Sequence, residues 1–174
     1  MSRIRYVVAM SLDGFIAGPK GEADWIIMDP EIDFQAIFAQ FDTFFMGRRT
    51  FEGMAGAGGA GVVGGKTFVF SHSLRPADHP QVTILGEVSS ATVEPIRAQA
   101  TKDIWLFGGG ELFRSFLNAG LVDTVEVAVI PVLLGGGLPL LPHPAHQAKL
   151  ALTGHRVYKT GIVSLEYAVT ELAA

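Results

Sequence analysis

The order of elements along the chain predicts an α/β domain whose sheet is mostly parallel and closes on an antiparallel C-terminal hairpin. Three observations predict it. Short runs of apolar, β-branched and aromatic residues alternate with helix-like segments from Ile4 to Ala119, the pattern of strand–helix–strand crossovers. Lys149 to Tyr158 and Ile162 to Thr170 then alternate in character around Thr160-Gly161, which reads as a hairpin. Finally, three of the apolar runs end in residues suited to phosphate. These are Phe44-Phe45-Met46 into Gly47-Arg48-Arg49-Thr50, Phe68-Val69-Phe70 into Ser71-His72-Ser73, and Ile104-Trp105-Leu106-Phe107 into Gly108-Gly109-Gly110. In open α/β sheets ligands bind beyond the carboxyl ends of the strands.

Taken in order, Ile4 to Met10 reads as the first strand, followed by the turn signal Asp13-Gly14 and a loop from Gly18 to about Asp24. Ile32, Phe34, Ile37, Phe38 and Phe41 are spaced for one face of a helix. Thr43 to Met46 is a strand, and Arg49 to Met54 opens a short helix. Ala55 to Gly65 is dominated by Gly and Ala and reads as a mobile loop. Thr67 to Phe70 and Val82 to Leu85 are strands. Val93 to Ala100 reads as a helix with Glu94-Pro95 near its start. Asp103 to Phe107 is a strand, Glu111 to Ala119 a helix stopped by Gly120, and Thr124 to Val132 a strand. With no internal repeat or linker, residues 1–174 read as a single domain.

Bulk properties narrow the classes of function. Nearly half of the 174 residues are apolar and 17% are charged, which argues against disorder. The net charge of -4 gives no general attraction to nucleic acid or anionic membrane. There is no cysteine, so disulfides, thiolate zinc sites and cysteine nucleophiles are excluded. The N-terminus lacks a signal-peptide pattern, and Ala128 to Pro142, the most apolar stretch, is short and broken by Pro and Gly. A cytoplasmic protein is expected.

Each motif carries a bland reading beside the chemical one. Arginine grips phosphate through a planar fork, so Arg48 and Arg49 at a strand end suit a phosphorylated ligand, a ribose 2′-phosphate included; a solvated basic turn is the alternative. Three glycines between a strand and a helix exceed what a tight turn needs, and they favour close approach of a ligand to the backbone. Their spacing is not GxGxxG, because Phe113 holds the third position. Ser71-His72-Ser73 offers hydroxyls and an imidazole, or ordinary turn chemistry before Arg75-Pro76. Asp33, at the start of the first helix, suits hydrogen bonding to a heterocycle or proton delivery; the alternative is a helix-start acid favoured by the dipole, and Glu31 competes for either role. Gly64-Gly65-Lys66-Thr67 imitates a Walker A ending, but Ala60 stands where its first glycine belongs and a strand follows. His143 and His146 lie in a Pro-rich loop without an acidic partner, and no metal is expected there. Together, three phosphate-suited strand ends suggest an extended ligand such as a dinucleotide.

At this point the chain resembles the dihydrofolate reductase superfamily, and most of all the C-terminal reductase domain of the bacterial riboflavin-biosynthesis deaminase-reductase, in stand-alone form. The matching residues are Val8-Ala9-Met10-Ser11-Leu12-Asp13-Gly14-Phe15-Ile16-Ala17, Met46-Gly47-Arg48-Arg49-Thr50-Phe51-Glu52, Phe107-Gly108-Gly109-Gly110-Glu111-Leu112, Ala119-Gly120-Leu121-Val122-Asp123 and Pro131-Val132-Leu133-Leu134-Gly135-Gly136-Gly137. The resemblance implies a dihydrofolate reductase-like three-layer fold and an NADPH-dependent oxidoreductase. It implies backbone contacts from Ala9 and Ile16 to the nicotinamide amide. Gly47, Arg48, Arg49 and Thr50 would hold the adenosine phosphate and pyrophosphate, with Ser71 and His72 on the adenosine side. Gly108, Gly109, Gly110, Glu111 and Leu112 would cradle the pyrophosphate, with a cis peptide at Gly108-Gly109 or Gly109-Gly110. Asp13 to Trp25 would be the active-site loop. One departure is that Trp25 is followed by Ile26 rather than proline, with Glu31 and Asp33 lying further along.

The expected function is hydride transfer from NADPH to a C=N or C=O group of a small heterocycle, of pteridine, folate or pyrimidine type. Asp33 is the catalytic candidate and Asp13 and Trp25 line the substrate side. An NADPH-binding protein without turnover is the alternative from another class. The uncharged stretch Ala128 to Leu141 suggests a homodimer interface, or else a central strand.

Overall fold

The computed structural model describes residues 1–56 and 64–172. An eight-stranded sheet runs through the molecule. Its strands are β1 (Ile4–Ser11), β3 (Phe41–Gly47), β4 (Lys66–Phe70), β5 (Thr83–Leu85), β6 (Asp103–Gly108), β7 (Thr124–Ile130), β9 (Ala148–Val157) and β10 (Val163–Leu172), in the order β5-β4-β3-β6-β1-β7-β10-β9. Every pairing from β5 to β7 is parallel; β10 is antiparallel to β7 and to β9. β2 (Phe15–Ala17) and β8 (Leu138–Pro139) form a separate antiparallel ribbon. The helices are α1 (Phe34–Phe38), α2 (Arg48–Gly56), α3 (Ser90–Gln99) and α4 (Gly110–Asn118).

The side-chain alternation of the strands divides the core into two layers of packing. Ile4, Tyr6, Phe45, Ile104, Leu106, Val125 and Val127 pack with Val93 of α3 and with Phe113, Phe116 and Leu117 of α4. Phe44, Met46, Val69 and Trp105 point the other way, against Ile37 and Phe38 of α1 and Phe51 of α2. Strands covered on both faces read as continuous apolar runs, which is why β3, β4 and β6 stand out in the sequence.

The structure differs from the sequence expectation in three places and decides between two readings in a fourth. The helix anticipated from Ile32 to Phe41 is five residues long, and Phe41 opens β3 instead. There it pairs with Asp103 and packs 4.9 Å from Trp105, so sheet pairing outweighs the helical spacing. The helix expected from Val93 starts at Ser90, because Ser89 Oγ accepts from Thr92 N at 3.2 Å; Pro95 therefore sits inside it. Ala128 to Ile130 lies between β1 and β10, so the central-strand reading accounts for its apolar character. The β2–β8 ribbon had no counterpart in the expectation. Most of the Ala55 to Gly65 segment, with Ala60, lies outside the described residues. Among the described residues, no helix is long and apolar enough to cross a membrane.

Candidate cofactor site

The carboxyl ends of β3, β4 and β6 meet at one cavity of about 710 Å³. Binding sites for small molecules commonly measure ~300–1,000 Å³. Gly47, Arg48, Arg49 and Thr50 line it from β3 and α2, Ser71 and His72 from the end of β4, and Gly109, Gly110, Glu111 and Leu112 from the start of α4. Ile16 enters from β2. Ala9 and Gly108 are not among the lining residues.

Ala9 and Gly108 belong instead to the two strands that part beneath the cavity. β1 pairs with β6 over Ile4–Tyr6 only, yet follows β7 as far as Ser11. Where β1 and β6 diverge, Trp105 Nε1 donates to Val7 O at 3.0 Å. The order β3-β6-β1-β7 makes this divergence a switch point of the sheet, where open α/β folds place ligands.

The three glycines after β6 have different reasons to be glycine. Gly108 has a φ of +126°, and its peptide to Gly109 is cis. A Cβ on Gly110 would lie 2.6 Å from Pro139 O and 3.0 Å from Pro142 Cδ, so the approach of the backbone there excludes a side chain. A Cβ on Gly109 would meet nothing closer than Thr50 Oγ1 at 3.8 Å. Backbone conformation thus explains Gly108 and packing explains Gly110, whereas Gly109, which lines the cavity, is required by neither. It is also the N-cap of α4 and gives no side-chain cap, which leaves the first amides of a nine-residue helix facing the cavity's end.

Charges of both signs line the walls. Arg48 Nη1 donates to Glu52 Oε2 at 3.1 Å along α2, and Arg114 pairs with Glu111 along α4. Arg49 and Glu87 have no side-chain partner among the described residues. Ser71 Oγ accepts from Ser73 N at 3.2 Å and Leu74 N at 3.1 Å, which is the turn chemistry its sequence allows. His72 packs on Gly86, where a Cβ would come 3.7 Å from Nδ1.

Asp13, Trp25 and Asp33 stand outside the cavity lining. Asp13 accepts from Ser11 Oγ at 2.7 Å, Leu134 N at 3.1 Å and Gly135 N at 2.7 Å. The bond from Ser11 leads in holding its carboxyl below the usual aspartate range. Trp25 Nε1 donates to Glu22 O at 3.2 Å. Asp33 is exposed and caps α1, its Oδ1 accepting from Ala36 N at 2.9 Å. Glu31 pairs with Arg156 at 2.9 Å. Asp29 is nearly buried and binds Glu31 N at 2.8 Å and Thr160 Oγ1 at 2.7 Å. Those bonds, the Glu31 amide first, hold its carboxyl low.

Sequence reasoning missed two walls. Gly86, Glu87 and Val88 follow β5 and repeat the strand-end rule, so Gly86 was a readable signal. Leu138 and Pro139 come from the ribbon and Pro142 from the segment after it; strands of three and two residues leave no periodicity to read.

The strand order, the parting of β1 from β6 and the glycine-lined cavity define a dihydrofolate reductase-like domain. Residues 3–164 match the model of the RibD C-terminal domain, and the chain belongs to that family. The uncharacterized protein YyaP of Bacillus subtilis (strain 168) is 33% identical over 177 residues, covering 95% of this chain and 94% of that one. Two solved structures share the fold. A pyrimidine reductase-like protein from Corynebacterium diphtheriae aligns over 98% of this chain and 92% of its own at a TM-score of 0.74 and 15% identity. Dihydrofolate reductase from Enterococcus faecalis, complexed with NADP(H), aligns over 99% and 97% at 0.64 and 16%.

Proposed function

We propose that the protein is an NADPH-dependent reductase of a small heterocycle of pteridine, folate or pyrimidine type. The observation that carries this reading is the convergence of three separated strand ends, with Arg48 and Arg49, on one cavity. Arg49, without a side-chain partner among the described residues, and Arg48 suit the ribose 2′-phosphate by fork-shaped hydrogen bonding. The open α4 amides and the bare backbone at Gly109 suit the pyrophosphate. Ala9 and Ile16 would meet the nicotinamide through backbone groups where β1 and β6 part. When bound, the reduced nicotinamide supplies a hydride to a C=N or C=O carbon; the protein's share is orientation and exclusion of water. The accompanying proton is assigned to Asp33, whose Oδ2 has no partner among the described residues while Oδ1 caps α1. Asp13 and Trp25 belong to the loop on the substrate side.

Titration calorimetry with NADPH and NADH tests the cofactor, followed by spectrophotometric screening of pterins, folates and pyrimidines for NADPH oxidation. Binding of NADPH in preference to NADH supports the reading, and binding of neither refutes it. A second reading, NADPH binding without turnover, draws support from Asp13, Trp25 and Asp33 lying off the cavity lining; any substrate turned over removes it. A homodimer is also proposed, supported by Leu133, 69% exposed in the part of the uncharged stretch that follows β7. A monomer mass independent of concentration in sedimentation rejects it.

A further inference from the structure

We propose that Asp13 is a positioning residue for the cavity: it fastens the β2–β8 ribbon, which supplies one of its walls. The inference rests on the NADPH reading above and adds how the site is held in shape. Asp13 sits in the turn between β1 and β2, and its carboxylate reaches across the chain to the Leu134 and Gly135 amides. These two donors lie in the loop that leads from β7 to β8. Ser11, fully buried, completes the node: its hydroxyl donates to Asp13 and accepts from Phe15 N at 3.0 Å. Backbone bonds continue the fastening. Leu12 N donates to Val132 O and Leu140 N to Gly14 O, both at 2.9 Å. Gly137 has a φ of +151° and abuts Ala17 O, so only glycine fits where the loop enters β8.

The ribbon held this way carries Ile16, Leu138 and Pro139 into the cavity, and Pro139 O lies against Gly110 at the start of α4. The chain of contacts therefore runs from Asp13 through Gly135 and Pro139 to the helix terminus proposed for pyrophosphate. Elements of three and two residues cannot hold themselves in place by pairing alone. A carboxylate that ties down two amides and a hydroxyl adds charge-assisted bonds to the backbone links between these segments.

The test compares wild type with Asp13→Ala, Asp13→Asn and, as a control, Asp42→Asn, which breaks a different carboxylate staple at Thr101. NADPH affinity is measured by calorimetry, and amide hydrogen exchange is followed along the chain. Asp13→Ala is expected to weaken NADPH about tenfold or more, with faster exchange over residues 14–17 and 133–142 and unchanged exchange in β9 and β10. Asp13→Asn keeps the acceptor for Ser11 and Leu134 and loses only that for Gly135, so it falls between. Asp42→Asn loses stability without loss of affinity. If Asp13→Ala does not fold, Asp13→Asn decides: a raised Kd with faster ribbon exchange supports the assignment, and no change in either overturns it. A variant that raises the Michaelis constant of the acceptor while leaving the Kd for NADPH alone also overturns it, since that is the signature of substrate contact. Failure of the wild type itself to bind NADPH sinks the cofactor reading instead, which keeps the two failures apart.

Discussion

Arg5 and Glu126 face each other on neighbouring strands β1 and β7 in a two-pronged bridge, with Nε to Oε1 and Nη2 to Oε2 both at 2.7 Å. The guanidinium also reaches Asp103 at 3.2 Å and Gln40 at 2.8 Å and lies 4.7 Å from the centre of the Phe41 ring. Burial alone would lower the Arg5 pKa, but the bonds to Glu126 and Asp103 outweigh it and raise it. Both side chains are about nine-tenths covered, at 10% and 12% exposure. Glu126→Leu removes the two-pronged bridge and leaves the guanidinium with Asp103 and Gln40, so it is expected to cost about 2 kcal/mol in urea unfolding. Arg5→Met with Glu126→Leu should cost less than the sum of the two single changes, as a double-mutant cycle will show.

The Tyr6 hydroxyl is buried and has no hydrogen-bond partner among the described residues, and its ring stacks on Phe113 with centroids 4.0 Å apart. Burial pushes its pKa up. Tyr6→Phe keeps the stacking and removes an unpaired polar atom. Thermal and urea unfolding should show stability unchanged or raised by about 1 kcal/mol; a loss of that size would show that the hydroxyl has a partner in solution.

Asp33 caps α1, and the cap can be separated from chemistry. Asp33→Ala should lower stability by about 1 kcal/mol, whereas Asp33→Asn keeps an acceptor for Ala36 N and should be nearly neutral. Slow single-turnover reduction in Asp33→Asn, with stability preserved, is the outcome expected of a proton donor. An unchanged rate confines Asp33 to the cap.

Arg49 should matter more for NADPH than for NADH. Arg49→Ala is expected to weaken NADPH at least tenfold by calorimetry, from the loss of charge-assisted bonds of about 1.5–3 kcal/mol. NADH should change little. Equal losses for both cofactors would place Arg49 at the pyrophosphate instead of the 2′-phosphate.

Acid should unfold the protein through its stapled aspartates. For Asp42, burial acts upward, but the Thr101 hydroxyl and amide win and hold the carboxyl low. For Asp103, burial is likewise outweighed, chiefly by Arg3. Asp13 and Asp29 are also lowered. An unfolded aspartate titrates near about 3.9, above each folded value, so the unfolded chain takes up protons first. The stabilisation is complete above about pH 5 and is lost as pH falls through the folded values. Urea midpoints measured from pH 2 to 7 should drop on the acid side, and Asp42→Asn should flatten part of that drop.

The parts of the fold that the sequence disclosed are those where one physical demand acts alone. Phe44-Phe45-Met46 and Ile104-Trp105-Leu106 are apolar on both faces, and only a covered strand needs that. Phe41 answered two demands, helical spacing with Phe38 and pairing opposite Asp103, and the ladder won. The strand ends at Gly47, Ser71 and Gly109 were legible because each follows an apolar run that only a covered strand needs; the proline wall at Pro139 and Pro142 was not, because its place depends on the distant Gly110. Asp33 looked chemical for the same reason it caps a helix: a short carboxylate at a helix start serves either purpose.

The cavity walls come from stretches as far apart as Ile16 and Pro142, so the site exists only while the whole sheet is assembled. Unfolding scatters it. Whatever fits the cavity must therefore raise the melting temperature, by about 2.7 kcal/mol of added stability at a free concentration ~100 times its Kd. A plate of candidate heterocycles and nucleotides heated with the protein would then sort binders from bystanders before a single turnover is seen.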